Sequence, residues 1–380
     1  MPSTSNRAGT YLLGAFHPAS LPPAPPVLMD VSLQRLLGEA NLALGRLDGS
    51  IQTLPNPDHF VLMYVRKEAV LSSQIEGTQS SLTDLLAAEA RVLSVEAPKD
   101  VDEVVNYVAA LNYGLTRLAT LPVSVRLIRE IHERLLQGVR GGQLTPGELR
   151  TTQNWIGPMG ATRAEATFVP PPPQQVGAAL ADLERFLHAE DDIPFLVKVG
   201  LAHAQFETIH PFLDGNGRVG RLLIALLLCE RHVLQKPALY LSYWFKVNRS
   251  EYYDRLQAVR DDGDWEGWIR FFLMGVNATA DEAAMTARRI IALREEDRTR
   301  ITERIVRVAG NGLKVLERLY RSPVISVKEV QEMIGTTYPA ANDLVSRLEE
   351  LGILREITGW ARNRRYTYAR YVRLFSEEGR

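Results

Sequence analysis

A single cysteine, Cys229, among 380 residues excludes an intramolecular disulfide and a multi-cysteine zinc site, and it fits a reducing compartment. Long apolar runs are lacking too. The longest, Leu222 to Cys229, stops at Glu230-Arg231-His232, far short of the roughly 20 residues a membrane helix needs, and reads as a buried helix. Met1 to Leu13 holds one Arg and no apolar stretch of signal-peptide length, so no export signal is read and the cytoplasm is the expected compartment. There is little excess charge of either sign: 44 Lys and Arg stand against 45 Asp and Glu, so no global field gathers nucleic acid or an anionic membrane. The phosphate-loop pattern G-x-x-x-x-G-K-[ST] and the kinase signatures H-R-D and D-F-G are absent. What remains, 46% hydrophobic and 23% charged, is an ordinary globular chain long enough for two or three domains.

Residues 14 to 27, GAFHPASLPPAPPV, are proline-rich and without periodicity, an exposed arm or a strap across the surface. From Ser32 apolar residues recur at three- and four-residue spacing, the mark of amphipathic helices. Asp58 is expected to cap a helix running to Glu76 and stopping at Gly77, with further helices near 80–94, 100–120 and 123–137. Thr151 to Pro173 breaks the rhythm with extended residues around a glycine-rich middle, and predicts a β-hairpin. Helices return at 176–188, 194–209 and 218–232. After about residue 305, three short helices followed by alternating strands give the order of a winged helix-turn-helix.

Between the two central helices lies His210-Pro-Phe-Leu-Asp214-Gly-Asn-Gly-Arg218-Val-Gly-Arg221. Gly215, Gly217 and Gly220 let backbone N–H groups approach a ligand, and the following helix points its positive end at the same place, which makes an anion cradle. Arg218 and Arg221, three apart, share a helix face and suit phosphate oxygens. Asp214 is placed for a magnesium ion bridging phosphates, and His210 supplies a group able to take a proton from a hydroxyl. Gly215-x-Gly217-x-x-Gly220 also matches the dinucleotide fingerprint, but that needs a preceding β-strand, and 194–209 patterns as a helix.

H-P-F-x-D-G-N-G-R-x-x-R is the defining motif of the Fic family, and the chain is identified as resembling that family from about residue 10 to 375. The resemblance implies a mainly α fold, a Fic-type helical core with a β-hairpin flap. It implies His210 as general base, Asp214 as the Mg²⁺ ligand, and Gly215, Asn216, Gly217, Arg218, Val219, Gly220 and Arg221 around ATP. The activity implied is protein adenylyl transfer: AMP from ATP-Mg²⁺ onto a Ser, Thr or Tyr hydroxyl of a target protein, with self-modification as one case. Thr167, Phe168 and Val169 resemble the family's flap, which pairs with a target segment as an added strand. Tyr252 and Tyr253 resemble the segment beside adenine, though core packing explains either equally well.

Ser72-x-x-x-Glu76-Gly77 ends a helix, where a carboxylate stands on the unfavourable end of the dipole unless a cation meets it. It resembles the inhibitory motif of the class with an N-terminal inhibitory helix, which implies that Glu76 pairs with Arg221 and blocks productive ATP binding. The expected division is 1–100 for arm and inhibitory helices, 101–300 for the catalytic core, and 305–380 for the winged helix. Arg362, Arg364, Arg365 and Arg370 in the proposed wing suit a phosphate backbone, whereas the presumed recognition helix around Tyr338 to Arg347 is poor in positive charge. DNA binding, a homodimer contact, selection of a protein target and packing on the core all stay open for this module. Two rival functions remain: an ATP-sensing DNA-binding regulator, and removal of AMP or transfer of another phosphate-bearing group at the same loop.

Overall fold

Three- and four-residue spacing sets most of the architecture. The computed structural model describes residues 5–92, 98–158 and 160–376 and is mainly helical. At the N-terminus β1 (Ser5–Asn6), β2 (Gly9–Leu12) and β3 (Ala15–Pro18) form an antiparallel sheet in that order. The proline-rich segment therefore belongs to a strap rather than a free arm. The Phe16 N–H donates to the Val169 carbonyl at 2.9 Å, the Gln205 amide donates to the Ala19 carbonyl at 2.8 Å, and Arg7 pairs with Glu266.

The chain then runs through α1 (Val31–Gln52), α2 (Pro57–Ile75), α3 (Leu82–Glu89), α4 (Val101–Arg117) and α5 (Val125–Leu135). Asp58 does not cap α2: the cap is Asn56, with Pro57 opening the helix and Asp58 in its first turn. Proline favours that opening position because its φ is already helical and its missing N–H would be unpaired there anyway. The other end is as expected, with Glu76 just past α2 and Gly77 at φ 100. The helix expected at 80–94 is shorter, and residues 93–97 lie outside the described residues.

The 151–173 segment departs most from expectation. The hairpin is reduced to one antiparallel bridge, Ile156 to Phe168, with a 3-10 turn at Arg163–Glu165 between. Met159 lies outside the described residues. Prolines 170 to 173 carry no N–H and cannot extend a ladder, so the pairing ends where they begin.

The core is centred on α7 (Phe195–Ile209) and α8 (Asn216–Glu230), which follow α6 (Pro173–His188). Nearly every residue of α7 is buried, as is the apolar run Leu222 to Leu228 of α8. Around them pack α9 (Ser242–Val247), α10 (Arg249–Asp262) and the 40-residue α11 (Trp265–Arg304), an element that sequence reasoning did not single out and along which α1 lies.

α11 ends at Arg304, and a 3-10 turn at Val306–Val308 follows it. Beyond it come α12 (Ala309–Arg321), β4 (Val324–Ser326), α13 (Val327–Ile334), α14 (Tyr338–Glu350), β5 (Arg355–Glu356), β6 (Arg365–Thr367) and α15 (Ala369–Arg373), with an antiparallel sheet of order β4-β6-β5. This module packs on α2: the Phe375 ring lies 5.7 Å from Tyr64 and 6.3 Å from Phe60. It is also tied to α11, where buried Asp297 accepts from the Tyr368 hydroxyl at 2.6 Å and from Arg370 at 2.5 Å. Among the described residues, no helix is long and apolar enough to cross a membrane.

Candidate active site

α7 ends because His210 adopts a left-handed conformation, φ 48 and ψ 61, unusual for a residue other than glycine. Arg150 holds that turn: its Nε donates to the His210 carbonyl at 2.9 Å and its Nη2 to the Pro171 carbonyl at 2.6 Å. Asn216 clamps the loop beyond, accepting from the Phe212 N–H and donating to the Phe212 carbonyl, both at 2.8 Å. Gly215, φ 79, then turns the chain into α8 and lies against the His132 ring. His132 stacks on Phe212 with ring centres 3.7 Å apart. Its Nδ1 accepts from the Gly147 N–H at 2.8 Å, so Nε2–H donates to the Asp214 carbonyl at 3.0 Å. Burial pushes this imidazole down to about 4, so it braces the loop as a neutral ring.

The result is a helix N-terminus whose first N–H groups have no partner within the helix. Glu76 stands directly over it: a Cβ added to Gly217 would sit 2.3 Å from Glu76 Oε1. The same oxygen accepts from Arg221 Nη2 at 2.7 Å, while Arg221 Nε donates to Ser72 Oγ at 2.8 Å and Nη2 to the Ser72 carbonyl at 3.0 Å. Burial opposes ionisation of Glu76, but Arg221 outweighs it, with Arg218 and His210 assisting, and the carboxyl is held below its ordinary range. Burial likewise works against the Arg221 charge, and Glu76 raises it back beyond the usual arginine value. α2 thus brings the expected inhibitory pair, Ser72 and Glu76, onto the expected arginine.

Arg218 is 1% exposed and donates to Glu103 of α4 at 3.1 Å, with Asp214 3.8 Å away. Its Nε has no partner among the described residues. Asp214 Oδ1 accepts from the Gly215 N–H at 2.6 Å, and its side chain is about a third exposed, at 34%. Glu103 escaped the sequence reading because nothing in its neighbourhood on α4 signals a partner so distant in sequence. Replacing it with Ala removes the nearer acid from a buried guanidinium and leaves only the partly exposed Asp214 at 3.8 Å, and the expected loss of stability is about 3 kcal/mol, the low end for breaking a buried pair. Urea unfolding of Glu103→Ala against Glu103→Gln reads it, the amide keeping one acceptor and losing less.

His210 Nδ1 is buried, turned toward the Glu207 carbonyl without a well-formed hydrogen bond. Burial, with Arg260 and Arg150 nearby, pushes the imidazole down to about 3, so it is neutral and able to accept a proton across the physiological range. A depressed base is lost only when pH falls through its folded value. For a released enzyme, protonation of His210 is therefore expected to add no limb to kcat/KM at the ordinary histidine value of about 6.5, and any limb near neutrality belongs to the buried carboxyls Glu68 and Glu207. A pH–rate profile checks this.

Two other carboxyls lie close by. Glu68, one turn before Ser72 on the same face of α2, accepts from the Tyr107 hydroxyl at 2.9 Å and Ser242 Oγ at 2.6 Å, and burial pushes it up to about 7. Glu207 approaches Gly220, where a Cβ would sit 2.4 Å from its Oε1 and would force that carboxyl to move. Burial raises Glu207 to about 7 as well, although Arg221 favours its charge.

Several expected site residues stand elsewhere. Tyr252 is a correction: its ring lies in the core against Phe245 at 4.4 Å, and its hydroxyl donates to His203 Nε2 at 2.9 Å, while His203 Nδ1–H donates to the Gly220 carbonyl. The outward tyrosine is Tyr253, 39% exposed, whose hydroxyl burial and the Glu76 carboxylate push up to about 12. Val219 and Asn216 are buried, so only their backbones can face a ligand. Phe168 does not reach outward either: it is buried against Phe16, with the Arg260 guanidinium 3.9 Å over its ring. Thr167 is exposed, and the Val169 carbonyl is already taken by β3.

Comparison with known proteins bears on this geometry. The Fic/DOC family N-terminal profile matches residues 34–116, which carry α2 and Glu76, and the Fic/DOC family profile matches residues 122–228, which carry the loop from His210 to Arg221. The chain belongs to the Fic/DOC family. Among curated relatives, the protein adenylyltransferase Fic of Culex quinquefasciatus is 30% identical over 219 residues, covering 54% of this chain and 39% of the relative. That of Aedes aegypti is 29% identical over 235 residues, 59% of this chain and 43% of the relative. The Fic chain described here thus spans less than half the length of these two relatives. A Fic family protein from Desulfovibrio desulfuricans shares the fold at TM-score 0.60 and 20% identity, covering 90% of this chain and 97% of that one. A Fic domain containing signaling protein from Bacteroides thetaiotaomicron does so at 0.54 and 19%, covering 66% and 95%.

Proposed function

We propose that this Fic protein transfers AMP from ATP to a Ser, Thr or Tyr hydroxyl of a protein and that Glu76 holds it inactive at rest. The observation that carries the reading is the convergence of His210, Asp214, the N-terminus of α8 and a Glu76-bound Arg221 on one point. Relatives named protein adenylyltransferase support it.

In the reaction the target oxygen attacks the α-phosphorus of ATP, its proton passes to neutral His210, and the bond from the α-phosphorus to the α–β bridging oxygen breaks to release pyrophosphate. The N–H groups at the start of α8 offset charge on the phosphate oxygens, and Arg221, once free of Glu76, holds the outer phosphate. Positioning and charge stabilisation carry most of the barrier reduction. Asp214 fits a magnesium ion held mainly by phosphates and water: it is a single, partly exposed carboxylate beside the cradle, and magnesium usually takes one or two. Bound there, magnesium would neutralise phosphate charge. Asp214→Asn is expected to raise the magnesium needed for half-maximal transfer at least about tenfold, since even outer-shell partners contribute roughly 10–100-fold; a magnesium titration of AMP transfer measures it.

The deciding experiment is intact mass after incubation with ATP-Mg²⁺ and candidate acceptors, the chain itself included. A gain of one AMP supports transfer. Loss of AMP from a modified acceptor would instead support removal, with the Glu76 carboxylate orienting water. The C-terminal module reads as a winged helix-turn-helix that packs on the core. Its α14 exposes Glu349, Glu350 and an Arg347 already paired with Asp343 at 2.9 Å, which favours a structural or protein-contacting role over DNA reading.

A further inference from the structure

The inhibitory helix has a second face. Glu68, Ser72 and Glu76 recur every four residues of α2 toward Arg221, while Lys67, Val70, Leu71 and Gln74 point the opposite way. That opposite face forms one wall of a cavity of about 430 Å³, closed by α3 on one side and by β5, β6 and α15 of the C-terminal module on the other. A volume of this size suits a small organic ligand.

The chemistry of the walls is one-sided. Val70, Leu71, Val372 and Phe375 supply apolar surface. Arg355 and Arg373, both exposed, reach the cavity from the module, and neither guanidinium has a hydrogen-bond or ion-pair partner among the described residues. Lys67 adds a third cation, itself paired with Glu282 at 2.9 Å. Among the described residues no Asp or Glu lines the cavity, in a chain whose acids and bases are otherwise balanced. Two unpaired guanidinium groups beside an apolar pocket match a carboxylate or phosphate head on an apolar body.

We infer that this cavity binds a small amphipathic anion and that its occupant acts on the helix that carries Glu76. The link runs through Gln74, whose amide donates to the Ser80 carbonyl at 2.9 Å and so closes the turn that begins at Glu76. Ser80 in turn donates to Asp100, and the Gln79 N–H donates to the same carboxylate at 2.7 Å. An anion that draws the Gln74 amide into the cavity opens that turn and loosens Glu76 from Arg221. The regulatory half rests on the AMP transfer proposed above; the binding half does not.

Calorimetry on the full chain with octyl phosphate tests the site. The expected result is a dissociation constant near about 0.1 mM, weakened at least about tenfold by Arg355→Ala/Arg373→Ala, with inorganic phosphate and neutral octyl glucoside each binding at least about tenfold more weakly. Ending the chain at Ser376, which removes Glu377 and Glu378, leaves the affinity unchanged or tightens it. No heat at millimolar octyl phosphate, equal affinity in the double arginine variant, equal binding of octyl glucoside, or loss of binding in the shortened chain would each overturn the site. For the coupling, saturating octyl phosphate raises AMP transfer by the parent chain several-fold and leaves Glu76→Gly unchanged. An equal response in both, or none in the parent, overturns the coupling. If Glu76→Gly transfers no AMP under any condition, the proposed reaction fails while calorimetry still decides the site.

Discussion

Glu76→Gly is expected to transfer AMP about 10- to 150-fold faster than the parent chain. The estimate follows from the bond removed: a hydrogen bond between charged partners contributes about 1.5–3 kcal/mol, and each 1.4 kcal/mol is about a factor of ten. Two effects work together. The variant frees Arg221, which Ser72 alone then orients, and it clears the carboxylate from above Gly217, where the cradle opens. Glycine at this position costs little structure, because residue 76 caps α2 outside the helix interior and Gly77 already supplies the left-handed terminator. Initial rates with α-labelled ATP, Mg²⁺ and a cell lysate as acceptor measure it, and equal rates in the two proteins would sink the brake.

His210→Ala, made in that released background, is expected to lose roughly 10²- to 10⁴-fold in transfer rate, the usual contribution of a positioned general base. ATP affinity is expected to survive, because the groups proposed to hold the phosphates are on α8 and not on the imidazole. The left-handed turn at 210 tolerates the change because Arg150 grips the backbone carbonyl rather than the ring. A variant that kept its rate would remove His210 from the mechanism, and one that lost ATP binding, read by calorimetry, would make it a binding residue instead.

The loop was legible because its chemistry is concentrated in one short stretch: a base, a carboxylate, three glycines and two arginines between helical patterns. Glu76 was legible only through the resemblance, since a lone glutamate at a helix end says nothing by itself of an arginine on another helix. Other parts were silent for physical reasons. Glu103, His132 and Arg150 act across large sequence separations, and each sits in a helix or turn whose local pattern is satisfied without its partner. Tyr252 stayed undecided because an aromatic at helical spacing looks the same whether it faces a nucleotide or Trp268. The 151–173 hairpin shrank because alternation signals extended backbone, whereas a ladder also needs N–H groups, and four prolines remove them.

The strap at the N-terminus bears on partner choice. An unpaired strand edge accepts almost any extended chain, which is why edges invite unintended association. By donating the Phe16 N–H to the Val169 carbonyl, β3 withdraws one edge of the Ile156–Phe168 bridge from that competition. A partner that docks by main-chain pairing is left the border beside Ile156, next to the strand segment where Asn154 reaches over to hold the Phe212 carbonyl of the catalytic loop. The strand that carries Phe16 thereby closes the Val169 side of this segment to main-chain pairing with any other chain.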